Sequence, residues 1–415
     1  MRTPESIRAK RDPGKGIGMS EWKPAAILRA DWRWLVILIA LVVPLRLWLL
    51  WNTEVAARDS VGYIRYALQF EQHSWRDVVK NNHQHPGYSF SIWLLSQPVR
   101  ALDGAMTPEN MSLSARLVSF LASLTIACLM YLLGRQFFDA KISLASALLY
   151  QYFPISAHHL SDGISEPIYL VFLLSGLLQM VIAVRDRSAL ASILCGAFAG
   201  TAYLVRPEGL LIAPAFCLAM ALTQFRAEWR VSWGRWLLCN ALMVIAAFVI
   251  LSIYVSATGR LTNKPSVNES LKTLLHWIGI SFGDDAAATW GSGTPLFAAS
   301  YAPTDSRSIR LQRSVWALIA EVCQGIHYVV VTAILGGLWS FAELRRHASA
   351  WALAIYAVIH SVVLVALAMS VFYVSDRHCM ILVMGSAFLV VVGLCELPRR
   401  VLSRLGPPGE SAPWY

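Results

Sequence analysis

The sequence predicts an all-α polytopic membrane protein, and three observations carry that reading. Of its 415 residues, 56% are hydrophobic and only 14% charged, where a soluble domain would carry roughly 25% charged residues. Apolar runs long enough to cross a bilayer, which takes roughly 20 residues, recur along the chain. The basic residues sit in short clusters between those runs, not in one patch. Despite a net charge of +10, that pattern reads as an orientation signal and not as a nucleic-acid footprint.

About ten spans are expected, at 34–52, 113–134, 142–158, 166–184, 189–205, 208–223, 236–257, 315–341, 351–373 and 379–397. A further apolar piece at 87–102 carries Pro98 and Arg100 at its end and fits either a span or an interfacial helix. Charge decides between them. If 87–102 stays at the surface, Arg135/Lys141, Arg185/Arg187, Arg226/Arg230/Arg235, Arg345/Arg346 and Arg399/Arg400/Arg404 all share the side of the basic N-terminal arm. The short opposite turns carry almost no basic residues, as the positive-inside rule requires.

The expected organisation is therefore a cytoplasmic arm at 1–33, a transmembrane domain at 34–400 with outer loops 53–112 and 258–314, and a cytoplasmic tail at 401–415. The arm is long, basic and broken by Pro and Gly, unlike a cleaved signal peptide. The seven cysteines fall mostly inside apolar runs without metal-ligand spacing and read as small core residues.

On this topology the unusual polar clusters all face outward. In "ARDSVGYIRYALQF", Val61, Ile64 and Leu68, with Tyr63, Tyr66 and Phe70 on the flank, make an amphipathic interfacial helix. Asp59 or Ser60 is its expected N-cap. In "HQHPGY", His83 and His85 either chelate a metal, as extended His-x-His can, or hydrogen-bond in the turn entering the next helix at Pro86. In "HHLSDGISEP", Asp162 and Glu166 are four apart, so one helical face can hold both. "LVRPEG" offers Arg206 and Glu208, and "SDRH" offers Asp376, Arg377 and His378. Each puts a cation where a lipid phosphate lies. Local ion pairs are the alternative for both. Asp284 and Asp285 add acids to the 258–314 loop.

The spans are nearly free of charge, Arg46 excepted. A transporter usually needs ionisable residues or broken helices at the membrane midplane, so a flippase of lipid-linked sugars is the less favoured alternative. No Walker loop and no strand-linked GxGxxG occurs, which argues against a nucleotide site.

The order of these motifs resembles the GT-C glycosyltransferases, the multi-pass class that includes protein O-mannosyltransferases, aminoarabinose transferases and oligosaccharyltransferase catalytic subunits. The motifs are "LVVPLRLWLL", "ARDSVGYIRYA", "HQHPGYSFSIWLL", "YLLGRQFF", "LSDGISEPIYLVFLL", "YLVRPEGLLI" and "SDRHCMILVM", spread over about residues 34–400. The resemblance implies a polyprenyl-phosphate sugar donor, used at the outer face of the cell membrane, and inversion at the anomeric carbon. It makes Asp59 the first-loop catalytic acid and Asp162 the second-loop acid. The remaining candidates for substrate binding are His83, His85, Glu166, Arg206, Glu208, Arg377 and His378. Many members have two adjacent acids in the first loop. Here Arg58-Asp59-Ser60 supplies one, so no cofactor or metal is assigned, with a divalent cation as the alternative. About eighteen residues follow the last expected span, so the C-terminal soluble domain of some members is not expected.

Overall fold

Helices alone make up the ordered elements of the described residues. A computed structural model describes 24–53, 58–103, 107–264, 307–371 and 374–405. Most of the outer loop expected at 258–314, with Asp284 and Asp285, lies outside them, as does most of each terminal segment.

The chain runs through α1 (Pro24–Asn52), α2 (Arg58–Gln72), α3 (Trp75–Asn81), α4 (Pro86–Asp103), α5 (Pro108–Gly134), α6 (Ala140–Tyr152), α7 (Pro154–His159), α8 (Glu166–Asp186) and α9 (Ala189–Val205). A 3-10 turn, Pro207–Leu211, leads into α10 (Ile212–Phe225), followed by α11 (Trp233–Thr258). The described remainder is α12 (Arg307–Gly325), α13 (Val330–Leu344), α14 (Ala348–Val371) and α15 (Asp376–Leu405).

The helix boundaries follow local chemistry. Thr107 caps α5 by accepting from the Asn110 N–H, with Pro108 in the first turn, where a missing N–H costs nothing. Asp139 and Ser188 cap α6 and α9 in the same way. Gly259, at φ 70°, ends α11, a left-handed position that glycine takes without strain.

Helix α8 lies at the centre. It packs on α5, α9 and α14, and residues from several of its faces, such as Tyr169, Leu173, Leu177 and Met180, are buried. α11 covers α9, and α13 covers α15. At the second of these crossings a Cβ on Gly336 would lie 1.9 Å from the Leu389 carbonyl oxygen, and one on Gly393 2.0 Å from that of Thr332. Small residues are what let membrane helices approach this closely. α11 turns Leu237, Ile245 and Phe248 outward, an apolar exterior suited to lipid.

Among the described residues, seven helices are long and apolar enough to cross a membrane, or up to eight if one bent pair counts as a single span. The count of ten is not confirmed by these helices, and the differences lie at three of the expected spans. The expected span 142–158 is broken into α6 and α7 at Phe153–Pro154. Arg46, buried on α1, binds across the break. It donates to the Gln151 carbonyl at 3.1 Å, to the Ala157 carbonyl at 3.1 Å and to Ser161 Oγ at 3.2 Å, supplying partners that a broken helix lacks. The expected span 315–341 is two helices, α12 and α13, bent by 96° around a turn with His327 and Tyr328 at positive φ. And α9 is apolar and 17 residues long, at the short end of what crosses a bilayer.

α4 is not among the helices apolar enough to span. It packs on α5, α2 and α9. The amphipathic face of α2 is also rotated from the expected one. Tyr63, Tyr66 and Ala67 are buried while Val61 is exposed, because α2 packs onto α4 and α5 through its tyrosine stripe.

Candidate active site

Four turns converge beside α8: the start of α2, the α7–α8 turn, the α9–α10 junction and the start of α15. Asp59 sits inside the first turn of α2, which begins at Arg58, so it is not the N-cap. Its Oδ2 accepts from Arg377 Nη1 at 2.9 Å. Arg377 also turns its Nε toward Glu166 Oε1 at 3.8 Å. That same carboxylate oxygen receives Arg206 Nη1 in a short ion pair, and Arg206 Nη2 lies 3.4 Å from Glu208 Oε1. The order Asp59–Arg377–Glu166–Arg206–Glu208 is thus one continuous chain of alternating charge.

Arg206 is buried, and its charge is held by its acids. Burial alone would lower its pKa, but Glu208 and Glu166 outweigh that and raise it. Arg377 is less enclosed, with 30% of its side chain exposed, and Asp59 is 46% exposed. The open end of the chain is therefore the Asp59–Arg377 end. Local pairing of Arg377 with Asp376 does not occur through its guanidinium. Asp376 Oδ1 accepts from the Arg377 backbone N–H instead, at 2.7 Å.

Glu166 is the first residue of α8, with Ser165 before it and Pro167 after it. Ser165 makes no cap bond with its side chain. Its Oγ accepts from the Tyr63 hydroxyl at 3.1 Å, which fastens α2 to α8. Burial and the nearby Glu166 charge push Tyr63 up to about 12.

Asp162 does not share a helical face with Glu166. It lies in the turn before α8, its carbonyl held by Ser119 Oγ at 2.6 Å and its carboxylate 3.3 Å from His158 Nε2. Burial raises its pKa, against the opposing pull of His158 and His159.

The two histidines of "HQHPGY" are separated. His83 is exposed. His85 is buried, stacked on Tyr254 at 4.7 Å and 3.0 Å by Nε2 from Thr262 Oγ1. They do not form a chelate. Burial pushes His85 down to about 3, with Lys264 adding to the shift. Asn263 Nδ2 donates to the Asn82 carbonyl at 3.0 Å, so the 262–264 stretch is docked on the turn before α4. This brings in Lys264, a cation the sequence reading missed. Its pKa is lowered by burial and then by Arg206, with Glu208 opposing.

A cleft with about 20 Å³ of free space runs between these groups, lined by Glu166, Arg206, Glu208, His360, Arg377 and His378 among others. That admits about one water-sized group. His378 Nδ1 lies 2.9 Å from Ser375 Oγ. His360 Nε2 lies 3.2 Å from the His378 carbonyl oxygen. On the cleft wall, Glu208 Oε2 and His360 Nδ1 are buried with no hydrogen-bond partner in the protein. Such atoms normally have one. Ile381 lines both this cleft and a second, apolar cavity of about 530 Å³ between α5, α8, α13, α14 and α15.

The comparisons bear on the fold. Residues 105–254 match the family model for dolichyl-phosphate-mannose-protein mannosyltransferase. The structure resembles ArnT from Cupriavidus metallidurans bound to undecaprenyl phosphate, with a TM-score of 0.55 at 15% identity over 89% of this chain and 62% of that one. It also resembles the archaeal oligosaccharyltransferase AglB from Archaeoglobus fulgidus, in complex with an inhibitory peptide and a dolichol-phosphate. There the TM-score is 0.53 at 15% identity, over 93% of this chain and 53% of that one. The chain has the GT-C fold. It spans about half to two-thirds of the length of these GT-C structures. No curated protein matches the sequence.

Proposed function

We propose that the chain is an integral-membrane glycosyltransferase that moves a sugar from a polyprenyl-phosphate donor to an acceptor at the extracytoplasmic face. The observation that carries this is the Asp59–Arg377 pair at the open end of the charge chain. It joins a base and a phosphate-binding group in one site.

The reaction needs two things. The acceptor hydroxyl must lose a proton as its oxygen attacks the anomeric carbon. The bond from that carbon to the phosphate oxygen must break, leaving the lipid phosphate with the electron pair. Asp59 takes the proton. Arg377 binds the departing phosphate, where its planar fork can hold two oxygens. The incoming phosphate competes for the guanidinium that now holds Asp59, so donor binding releases the base. Arg206 adds positive charge behind Arg377, and Glu166 fixes the two relative to each other. Direct displacement inverts the anomeric centre.

Glu208 Oε2 and His360 Nδ1 suit hydroxyl groups at the donor's polar tip. Beyond the shared Ile381, the apolar cavity suits the isoprenoid chain. Both termini lie in the cytoplasm on this reading, as the charge distribution of the loops supports. The similarity to structures with undecaprenyl phosphate and dolichol-phosphate supports a lipid-linked donor.

The test is transfer of labelled sugar from a panel of polyprenyl-phosphate sugars by purified protein in sealed lipid vesicles. Release of free polyprenyl phosphate with label on an acceptor is expected. Movement of intact donor between leaflets with no label transferred would replace this reading by the flippase one.

A further inference from the structure

The end of the bundle opposite the cleft carries its own concentration of charge. α8 runs from Glu166 in the cleft to Asp186, 21 residues and about 30 Å of helix. There the α8–α9, α10–α11 and α13–α14 connections meet. Arg226 Nη1 donates to the Arg345 carbonyl at 3.3 Å, Arg187 Nη2 to the Trp229 carbonyl at 3.3 Å and Arg235 Nε to the Arg187 carbonyl at 2.7 Å. Two indoles add to this. Trp229 Nε1 donates to the Arg346 carbonyl at 3.2 Å and Trp351 Nε1 to the Arg345 carbonyl at 3.0 Å. The Arg226 guanidinium lies 4.4 Å from the ring centroid of Trp229 and 5.9 Å from that of Trp351.

The acids here are mostly spoken for. Asp186 pairs with Arg185, and Glu343 with Arg346. Among the described residues, Arg187, Arg226, Arg235 and Arg345 form no ion pair, and all four are exposed. A guanidinium has five N–H donors. Arg187, Arg226 and Arg235 each spend one on a carbonyl, and Arg345 is held through its carbonyl and not through its side chain. Beside these cations the surface is apolar: Phe225, Trp233 and Leu237 are all exposed.

We propose that this end of the bundle binds an anionic phospholipid, its headgroup held by Arg187, Arg226 and Arg345 and its acyl chains lying on the exposed apolar flank of α10 and α11. Arginines between spans also orient a membrane chain during insertion, but that role needs only charge. It does not need guanidinium groups laid on the carbonyls of neighbouring connections. Nor does it need Arg187 at φ 56°, an uncommon backbone position for such a residue, with its carbonyl accepting from Arg235. These bonds fix several cations relative to one another. Fixed arginines with unused donors, next to apolar surface, suit a phosphodiester with hydrocarbon tails. An acidic peptide would match the charge but not the apolar flank.

The test uses the full chain, purified in a non-ionic detergent, delipidated and titrated with dioleoyl phosphatidylglycerol or dioleoyl phosphatidylcholine, with bound lipid counted by native mass spectrometry. The anionic glycerol lipid should bind at least about tenfold more tightly than the choline lipid, and the preference should shrink as salt rises. Arg345→Gln should lower the preference about fivefold, the effect of one arginine near a lipid surface. This variant keeps the carbonyl that Arg226 and Trp351 hold, so it should melt with the parent. Adding Arg187→Gln should bring the two lipids close to parity. Arg377→Ala removes the same charge at the cleft and should keep the full preference, which separates this site from that of the donor phosphate. Equal binding of the two lipids by the parent, an undiminished preference in the double variant, or loss of the preference in Arg377→Ala overturns the proposal. Lipid binding is read without any sugar transfer, so its failure is distinct from failure of the transferase reading.

Discussion

Arg377 and Asp59 are 318 residues apart in sequence, yet Nη1 of one donates to Oδ2 of the other at 2.9 Å. Both side chains keep contact with solvent, so the pair adds little to stability, about 1 kcal/mol at most. Its importance on the proposed mechanism is kinetic. Asp59→Asn should lower transfer at least about 10²-fold, and Arg377→Ala should cost about 2–4 kcal/mol of transition-state stabilisation. Neither should move the melting temperature much. If donor binding frees Asp59 from Arg377, the two losses are coupled, and the double variant should fall well short of their product. Turnover of the four proteins beside their melting curves decides it. Unchanged turnover in Asp59→Asn would leave the residue a helix-end charge only.

Glu166 and Arg206 should behave in the opposite way. Both are buried, and removing one partner of a buried ion pair leaves an uncompensated charge, at a cost of about 3–5 kcal/mol. Glu166→Gln should sit at the low end because Glu208 remains beside Arg206. The expected result is a melting temperature lowered by several degrees, with part of the turnover loss recovered per folded molecule. A variant that melts like the parent would mean that the arginine is not held through Glu166.

Individual site residues were legible in the sequence because a charge in a chain this apolar stands out. Asp59, Glu166, Arg206, Glu208 and Arg377 all lie at helix ends between apolar runs, and all five meet in one chain of ion pairs. Their pairing was not legible. Arg377 has an acid next to it in sequence, and only the packing of α2 and α15 around α8 sends its guanidinium to Asp59. Lys264 and Tyr63 gave no signal, one because a lone lysine after a span looks like any loop residue, the other because it belongs to an ordinary amphipathic pattern. The 96° bend between α12 and α13 also escaped notice. No proline marks it, and hydropathy does not register a change of direction. The break at Pro154 had a proline to announce it, but continuous apolarity across it suggested one span.

Orientation in the membrane is testable by labelling. Single cysteines at Ser74 and Ser188, in a Cys-free background, should report opposite sides. The Ser74 position is exposed before α3, and Ser188 caps α9. An impermeant thiol reagent added to intact cells should label the first and spare the second until the cells are opened. Each change removes a helix cap, at about 1 kcal/mol, so folding is checked alongside. Labelling at 188 alone would place the charge chain on the cytoplasmic side and contradict the proposed topology.

The last prediction concerns acid. His85 is stacked on Tyr254, meets Tyr203 edge-on and is held near Thr262, and burial pushes its pKa down to about 3. In the unfolded chain it titrates near its ordinary value of about 6.5. The unfolded state therefore binds more protons than the folded one between these values, and stability falls as pH drops through that window. Above about pH 7 the residue is neutral in both states and contributes no pH dependence. The slope is about 1.4 kcal/mol per pH unit for one proton, so lowering the pH to 5 should cost about 2 kcal/mol through His85. His85→Gln can still bond to Thr262 but takes up no proton. Its apparent melting temperature should be lower than the parent's at pH 7, where the ring stacking on Tyr254 is lost, and the gap should narrow as the pH falls to 5. Melting curves of the two proteins, run in parallel at half-unit steps over that range, supply the check. A gap that stays constant would mean that His85 is protonated in the folded protein or reaches solvent, and the docking of residues 262–264 on the turn before α4 would then not seal it.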